Sequence, residues 1–319
     1  MIKTMAFEPV SFKGKKILIT GATGLVARPL VRAYAEDATV YAMARYGRAE
    51  DRHAMEALGA IPIAVDLAHQ ESLAAIPEDI DFVINCAVAR SGNFDVDFRA
   101  NADGVGFLMA RCRKAMAFLH ISSTAVYEYR GHAPRKESDP LGDNHRAMFA
   151  TYSISKIAGE RVCMFAARQF GIPTTIARLC VPYGEHGGWP YFHLMMMRNG
   201  TPIEVHPERP NYYNLLHVED CIEKVPRLLA AATPEVTLTN FAGSPRVSIE
   251  QWCDYMGELT GLAPRYVDNP SAFGSLCTDL TRMRELVGDT RVDWHAGIRG
   301  MIAALVPELL ARGPNRSPA

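Results

Sequence analysis

Six short runs, apolar almost throughout, punctuate the first 180 residues: KILIT (16–20), TVYAMA (39–44), IPIAVD (61–66), DFVINCA (81–87), AFLHIS (117–122) and TTIARL (174–179). Between them lie longer stretches with helical spacing of apolar positions, such as LVARPLVRAYAED and NADGVGFLMARCRKA. Strands that are apolar on both faces and alternate with helices predict a parallel sheet covered on both sides. A further helix is expected over IAGERVCMFAARQF (157–170) and another over LLHVEDCIEKVPRLLAAA, with EVTLTNFAG as a seventh strand. After residue 180 the pattern loosens into a stretch rich in Gly, Pro, His and aromatics, and the last 75 or so residues read as helices and loops. The expected fold is α/β, a Rossmann-type doubly wound parallel sheet with a smaller, mostly helical C-terminal lobe. Residues 1–180 and about 217–243 form the nucleotide-binding core. Residues 181–216 and 244–319 form the lobe, over the carboxyl ends of the strands where open α/β sheets bind ligands.

Composition narrows the function classes. The 319 residues carry a formal net charge of −1, with 48% hydrophobic and 22% charged residues. That balance gives no basic surface for nucleic acid or an anionic membrane. Seven cysteines are scattered without paired spacing, which points to reduced thiols in the cytoplasm rather than a disulfide framework. No run is long and apolar enough to span a bilayer, and the first sixteen residues are too short and polar for a signal peptide. The expectation is a soluble cytoplasmic protein with a small-molecule substrate, and no nucleic-acid or membrane partner.

ITGATGLVA (19–27) follows the first strand and opens the first helix. Gly21 and Gly24, with Ala27, permit a tight turn and the close approach of a pyrophosphate to backbone amides at Thr23, Leu25 and Val26. At the end of the second strand stands Ala44, followed by Arg45 and Arg48. No carboxylate is present there to bind ribose hydroxyls, and a guanidinium suits a 2′-phosphate, so NADPH is favoured, with NAD possible. Asp66 can accept the adenine amino group beside Leu67. In NCAVAR (85–90), the small residues Cys86, Ala87 and Val88 let backbone lie along the cofactor, and Arg90 is placed at the substrate. Tyr152 and Lys156 are four apart on a helix and share a face.

Taken together, the glycine turn, Asp66-Leu67, Asn101, SSTAVY (122–127), the Tyr152/Lys156 pair, RLCVPYG and LLHVED resemble the extended short-chain dehydrogenase/reductases. That family contains nucleotide-sugar epimerases and dehydratases and many carbonyl reductases. The resemblance implies Tyr152 as general acid or base, and Lys156 as the charge that favours phenolate and holds the nicotinamide ribose. It implies Ser123 as the hydroxyl on the substrate oxygen, with Thr124 as fallback, Asn101 as support for a proton-relay water, and Cys180 and Val181 beside the cofactor. It also implies a homodimer through helices beginning near Asn101 and Thr151.

The departures from the family pattern concern the substrate. Thr124-Ala125 replaces the acidic pair of dehydratases, which removes the acid and base that eliminate water. Val181 and Tyr213 stand where nucleotide-sugar enzymes carry Asn and Arg, although Arg209 or His206 could substitute. Trp189, Tyr191, Phe192 and three consecutive methionines suit an apolar or aromatic substrate, while the methionine run reads equally well as lobe core. Gly187-Gly188 reads as a flap hinge. His186, His193 and His217 share no spacing with carboxylates, so no metal is expected. The reading is an NADPH-preferring reductase of a ketone or aldehyde, or oxidant of the secondary alcohol. Its alternatives are a nucleotide-sugar 4-epimerase with retained NAD+, and a non-catalytic NADP sensor.

Overall fold

The computed structural model describes residues 6–310. Seven strands form one parallel sheet: β1 (Lys16–Thr20), β2 (Thr39–Ala44), β3 (Ile61–Ala64), β4 (Phe82–Asn85), β5 (Ala117–Ser123), β6 (Thr174–Leu179) and a last strand, Thr237–Phe241. Their spatial order is last strand, β6, β5, β4, β1, β2, β3, so the winding reverses between β1 and β4. At such a switch point the loops leaving adjacent strands diverge and open a crevice.

Period-2 alternation divides β1 between two cores. Ile17 and Ile19 pack with Leu30 of α1 (Ala27–Tyr34) and with Val225 and Leu228, whereas Leu18 joins Leu108, Cys163 and Phe118 on the opposite face. The first layer is α1 with Val218–Ala230. The second is α4 (Gly104–Arg111) with α5 (Tyr152–Phe170), which follow the shorter α2 (Ala49–Ala57) and α3 (Phe94–Phe98) in the chain. Pro29 sits in the first turn of α1, where a missing amide costs no helical hydrogen bond. α5 runs nineteen residues and stops at Gly171, whose φ of 67° is the left-handed end that glycine adopts without strain.

The smaller C-terminal part is mostly helical, built from Trp189–Arg198, Ile249–Thr260, Thr281–Val287 and Trp294–Leu305. Its core is Trp252, whose indole N–H donates to His193 Nδ1 at 3.0 Å. Leu194 and Met197 are buried here and Met195 and Met196 pack against them, so the methionine run is core. Gly187 and Gly188 are not a hinge but a short strand paired with Pro182–Gly184, and a Cβ at Gly188 would lie 2.8 Å from Tyr183 Cα. His217 accepts from the Glu219 amide at the start of Val218–Ala230. No helix among the described residues is long and apolar enough to cross a membrane, and no group of His, Cys, Asp and Glu among them could hold a metal ion.

Candidate active site

The crevice over β1, β4 and β5 holds two adjoining clefts. The larger, about 370 Å³, is lined by Gly21, Gly24, Leu25, Val26, Cys86, Val88, Arg90, Ser123, Thr124, Tyr152, Lys156, Val181 and Trp189. The second, about 290 Å³, is lined by Thr23, Arg45, Asp66, Leu67, Ala87 and Asn101, together with the glycine turn and Arg90. Most of the residues singled out in the sequence therefore converge; Tyr191 and Arg209 line neither cleft, and three more also stand apart. Arg48 lies outside both clefts, paired with Asp51 at 3.3 Å. Cys180 is buried, with its Sγ 3.7 Å from the Leu276 carbonyl rather than in the cleft. Phe192 is 65% exposed on the outer side of its helix. Leu179 and Val181, on either side of Cys180, line the larger cleft, so alternation along the chain turns the Cys180 side chain away from it.

Gly21 has φ +67°, and a Cβ there would lie 3.0 Å from Ala87 Cα, so the turn packs backbone on backbone. Thr20 Oγ1 accepts from the Ala87 amide at 3.0 Å and donates to Asn85 Oδ1 at 2.6 Å, which fixes the β4 loop against the turn. Among the described residues the amides of Thr23, Leu25 and Val26 donate to no protein acceptor. A cradle of free amides at a helix N-terminus fits the diphosphate of a dinucleotide. The Cys86 thiol lines both clefts, and burial pushes it up to about 12, so it packs there as a small neutral group.

Tyr152 opens α5 and Ser123 ends β5, both facing the larger cleft. Burial raises the Tyr152 phenol, opposed by the Ser123 hydroxyl and the Arg90 guanidinium. Lys156 is 3% exposed, and its Nζ donates to the Ile121 carbonyl at 2.7 Å. Burial pushes it down to about 8, with Glu160 opposing. Ser123 and Arg90 thus offset burial only in part, and the phenol stays above its ordinary value. Asn101 also differs from expectation. It lies in a single π turn (Arg99–Asp103), and its side chain is committed: Oδ1 accepts from the Ala89 amide at 2.7 Å, while Nδ2 donates to Ala89 O at 2.8 Å and Ser155 Oγ at 3.0 Å. With both amide protons spent, the side chain anchors the β4 loop, and the second lone pair of Oδ1 is what it has left for a relay water.

Several lining residues carry no signal in the sequence pattern. These are His145, Phe149 and Phe273, which come from loops, whereas Tyr213, singled out in the sequence, joins them from a two-residue strand. Phe273 stacks on His145 with centroids 4.0 Å apart, and Arg90 lies 5.6 Å over the Phe149 ring. Burial pushes His145 down to about 4, so the ring is neutral near pH 7. His145, Phe273 and Leu276 also line a third cavity of about 440 Å³, with Tyr129, Asp143, Arg146 and His206. Tyr213 is buried, and its hydroxyl donates to the carbonyls of Gly274 (2.5 Å) and Phe273 (3.1 Å).

The solved structures similar to this chain include UDP-glucuronic acid 4-epimerase from Bacillus cereus, in complex with UDP-glucuronic acid and NAD (19% identity, TM-score 0.77, 91% of this chain and 98% of that one). They also include UDP-glucose 4-epimerase from Thermotoga maritima, with UDP-glucose (18%, TM-score 0.76, 92% and 99%). At these identities the likeness establishes the fold. A trifunctional UDP-glucose 4,6-dehydratase, 3,5-epimerase and 4-keto-rhamnose reductase of Arabidopsis thaliana is 26% identical over 91% of this chain and 47% of its own length. The chain thus spans about half the length of the curated relatives it matches first. The model of the NAD dependent epimerase/dehydratase family matches residues 17–238, and the chain belongs to that family.

Proposed function

We infer that the chain is an NAD(P)-dependent enzyme acting at a carbinol or carbonyl carbon of a nucleotide sugar, with 4-epimerisation as the outcome. The observation that carries this reading is the convergence of Ser123, Tyr152 and Lys156 on a cleft that adjoins a further 440 Å³ cavity. The two share His145, Phe273 and Leu276, which gives room for an elongated, two-part substrate. This revises the reading drawn from Val181 and Tyr213, and the nucleotide sugars bound in the similar structures support the revision. Arg90 and Arg146 offer positive charge to a diphosphate, although Asp143 stands 3.6 Å from Arg146 and shares that charge.

NAD(P) supplies and takes the hydride when bound, on the free amides of the glycine turn. Tyr152 as phenolate takes the carbinol proton as the carbonyl forms, the resulting phenol returns it in the reverse direction, and Ser123 donates to the same oxygen. Lys156 holds positive charge behind the phenol. Thr124, the next residue after Ser123, has its Oγ1 3.4 Å from the Leu179 carbonyl and shapes the cleft floor. Trp189 walls the other side, at 5.9 Å from Phe273.

The second reading is net reduction of a smaller carbonyl with NADPH. Tyr213 favours it, because its hydroxyl is spent on two protein carbonyls where a nucleotide-sugar enzyme offers a guanidinium. Arg45 favours NADPH by lining the cleft beside Asp66. The two readings part in one experiment, incubation with UDP-glucose or UDP-glucuronic acid, analysed by chromatography while reduced cofactor is followed by absorbance. Appearance of the C4 epimer without net cofactor turnover supports the first reading. NADPH consumption with simple carbonyls, and no epimer, overturns it in favour of the second. A homodimer through the outer faces of α4 and α5, where Phe107 and Phe165 are exposed, is part of the same proposal and is read by sedimentation.

A further inference from the structure

Glu160 follows Lys156 by one helical turn on the same face of α5, and it is 1% exposed. Its carboxylate is held from three directions. Ser122 Oγ on β5 donates to Oε1 at 2.5 Å, Arg178 Nε on β6 donates to Oε1 at 2.9 Å, and Arg178 Nη2 donates to Oε2 at 2.8 Å. Arg178 is itself fixed: its Nη1 donates to the Glu137 carbonyl at 3.0 Å, and its guanidinium lies 4.8 Å over the Tyr127 ring. Among the described residues Lys156 has one hydrogen-bond partner, the Ile121 carbonyl. A buried ammonium needs a compensating anion, or it gives up its proton.

The groups facing Lys156 supply no second anion. Tyr152 and Cys163 on α5 and Cys86 beyond β4 are neutral, all raised by burial. His120 on β5 is kept neutral by burial and by Lys156 itself. Arg178 has the same sign as Lys156. We propose that Glu160 is the positioning residue that keeps Lys156 protonated at neutral pH, with Ser122 and Arg178 clamping its carboxylate so that the ammonium stays turned toward the cleft. The importance of Lys156 to the chemistry rests on the function proposed above, whereas its state of protonation does not.

The test therefore reads Lys156 directly. The full chain is labelled with trace acetic anhydride across pH 6–10, and acetylation of Lys156 is followed by peptide mass spectrometry against exposed Lys13 as internal reference. Glu160→Gln should shift the Lys156 midpoint to lower pH and raise its relative labelling at pH 7 about threefold or more. Glu160→Asp keeps the charge and should restore the wild-type profile. The double replacement Glu160→Gln/Arg178→Met removes both members of the Glu160–Arg178 ion pair and so leaves no unpaired guanidinium; it serves if the single variant does not fold, with a smaller shift in the same direction expected. An unchanged midpoint in either Gln variant, or the same shift in Glu160→Asp, overturns the proposal. None of these outcomes depends on the substrate, so the proposal can fail while the functional reading stands, and the reverse.

Discussion

Asp97 accepts a hydrogen bond from the hydroxyl of Thr151, the residue immediately before Tyr152. The same carboxylate accepts from the Ser91 amide (3.0 Å) and hydroxyl (2.8 Å) and from the Gly92 amide (3.2 Å), directly after Arg90. One fully buried side chain thus joins the start of α5 to the loop that carries Arg90.

Burial works to raise Asp97, but the Thr151, Ser91 and Gly92 donors outweigh it and hold the carboxyl below its usual range. Its contribution to stability is therefore present above the unfolded-state pKa of about 3.9 and is lost as pH falls through the lower folded value. Asp97→Asn should cost about 2–3 kcal/mol at pH 7, and the gap to wild type should close below about pH 4. Urea titrations at a series of pH values check this. A gap that persists unchanged into acid would show that the charge is not what matters.

Tyr152→Phe removes the proton donor but keeps the ring packing. Turnover should fall about 10²–10⁴-fold while cofactor affinity is retained. Ser123→Ala should cost about 10²–10³-fold, because it deletes a hydroxyl poised at the substrate oxygen. Cofactor titration beside the activity assay separates these losses from unfolding, and Tyr152→Phe with full turnover would refute the assignment. Unchanged behaviour of both variants is what a cofactor-binding sensor would show.

What the sequence made legible is whatever depends on backbone period. The strands TVYAMA and TTIARL run as predicted, because apolar residues on both faces of a strand have no other way to be buried. The convergence of Gly21, Ser123, Tyr152 and Lys156 followed from strand ends and one helix. Distances along the chain do not reveal loop packing, however, so Phe273 and His145 went unseen, 128 residues apart in sequence yet stacked in the cleft. Nor does residue type disclose how its bonds are spent. Asn101 is at the expected place, but Ala89 and Ser155 have taken its side chain.

Lys156 makes the fold less stable than an apolar residue would. Burial moves it from near 10.5 to about 8. Below pH 8 both folded and unfolded chains hold the proton, and the cost of burying the charge is present in full. Between pH 8 and 10.5 the unfolded chain binds more protons, so stability rises with pH. Lys156→Met should therefore be more stable than wild type by about 3 kcal/mol at pH 7, with the advantage fading toward pH 10.5, while activity is lost. Chemical denaturation across that range is decisive, and a destabilised Met variant at pH 7 would count against the argument.

Gly159 lies in the middle of α5, where alanine is ordinarily better by about 1 kcal/mol. Here a Cβ would stand 2.3 Å from the Asn101 carbonyl oxygen, which belongs to backbone and cannot swing aside. Gly159→Ala should accordingly destabilise, by about 1–3 kcal/mol, and should weaken cofactor binding through the Asn101–Ala89 pairing. Thermal melting gives the sign, and a stabilised variant would mean that the π turn carrying Asn101 can move off α5 without cost.

Arg45 and Arg48 both suggested a phosphate site in the sequence, and the structure gives them different surroundings. Arg45 lines the cleft with Asp66, directly after Ala44, so its guanidinium is available to a 2′-phosphate. Arg48 is 72% exposed and paired with Asp51. Arg45→Ala should weaken NADP binding about tenfold, equivalent to about 1.4 kcal/mol, and leave NAD binding nearly unchanged. Arg48→Ala should alter neither. Calorimetric titration of both cofactors against both variants decides the matter. Equal losses for NAD and NADP in Arg45→Ala would mean that this guanidinium braces the adenosine cleft without reading the phosphate. A wild type that binds NAD alone would fit retained NAD+ and strengthen the epimerase reading over the reductase.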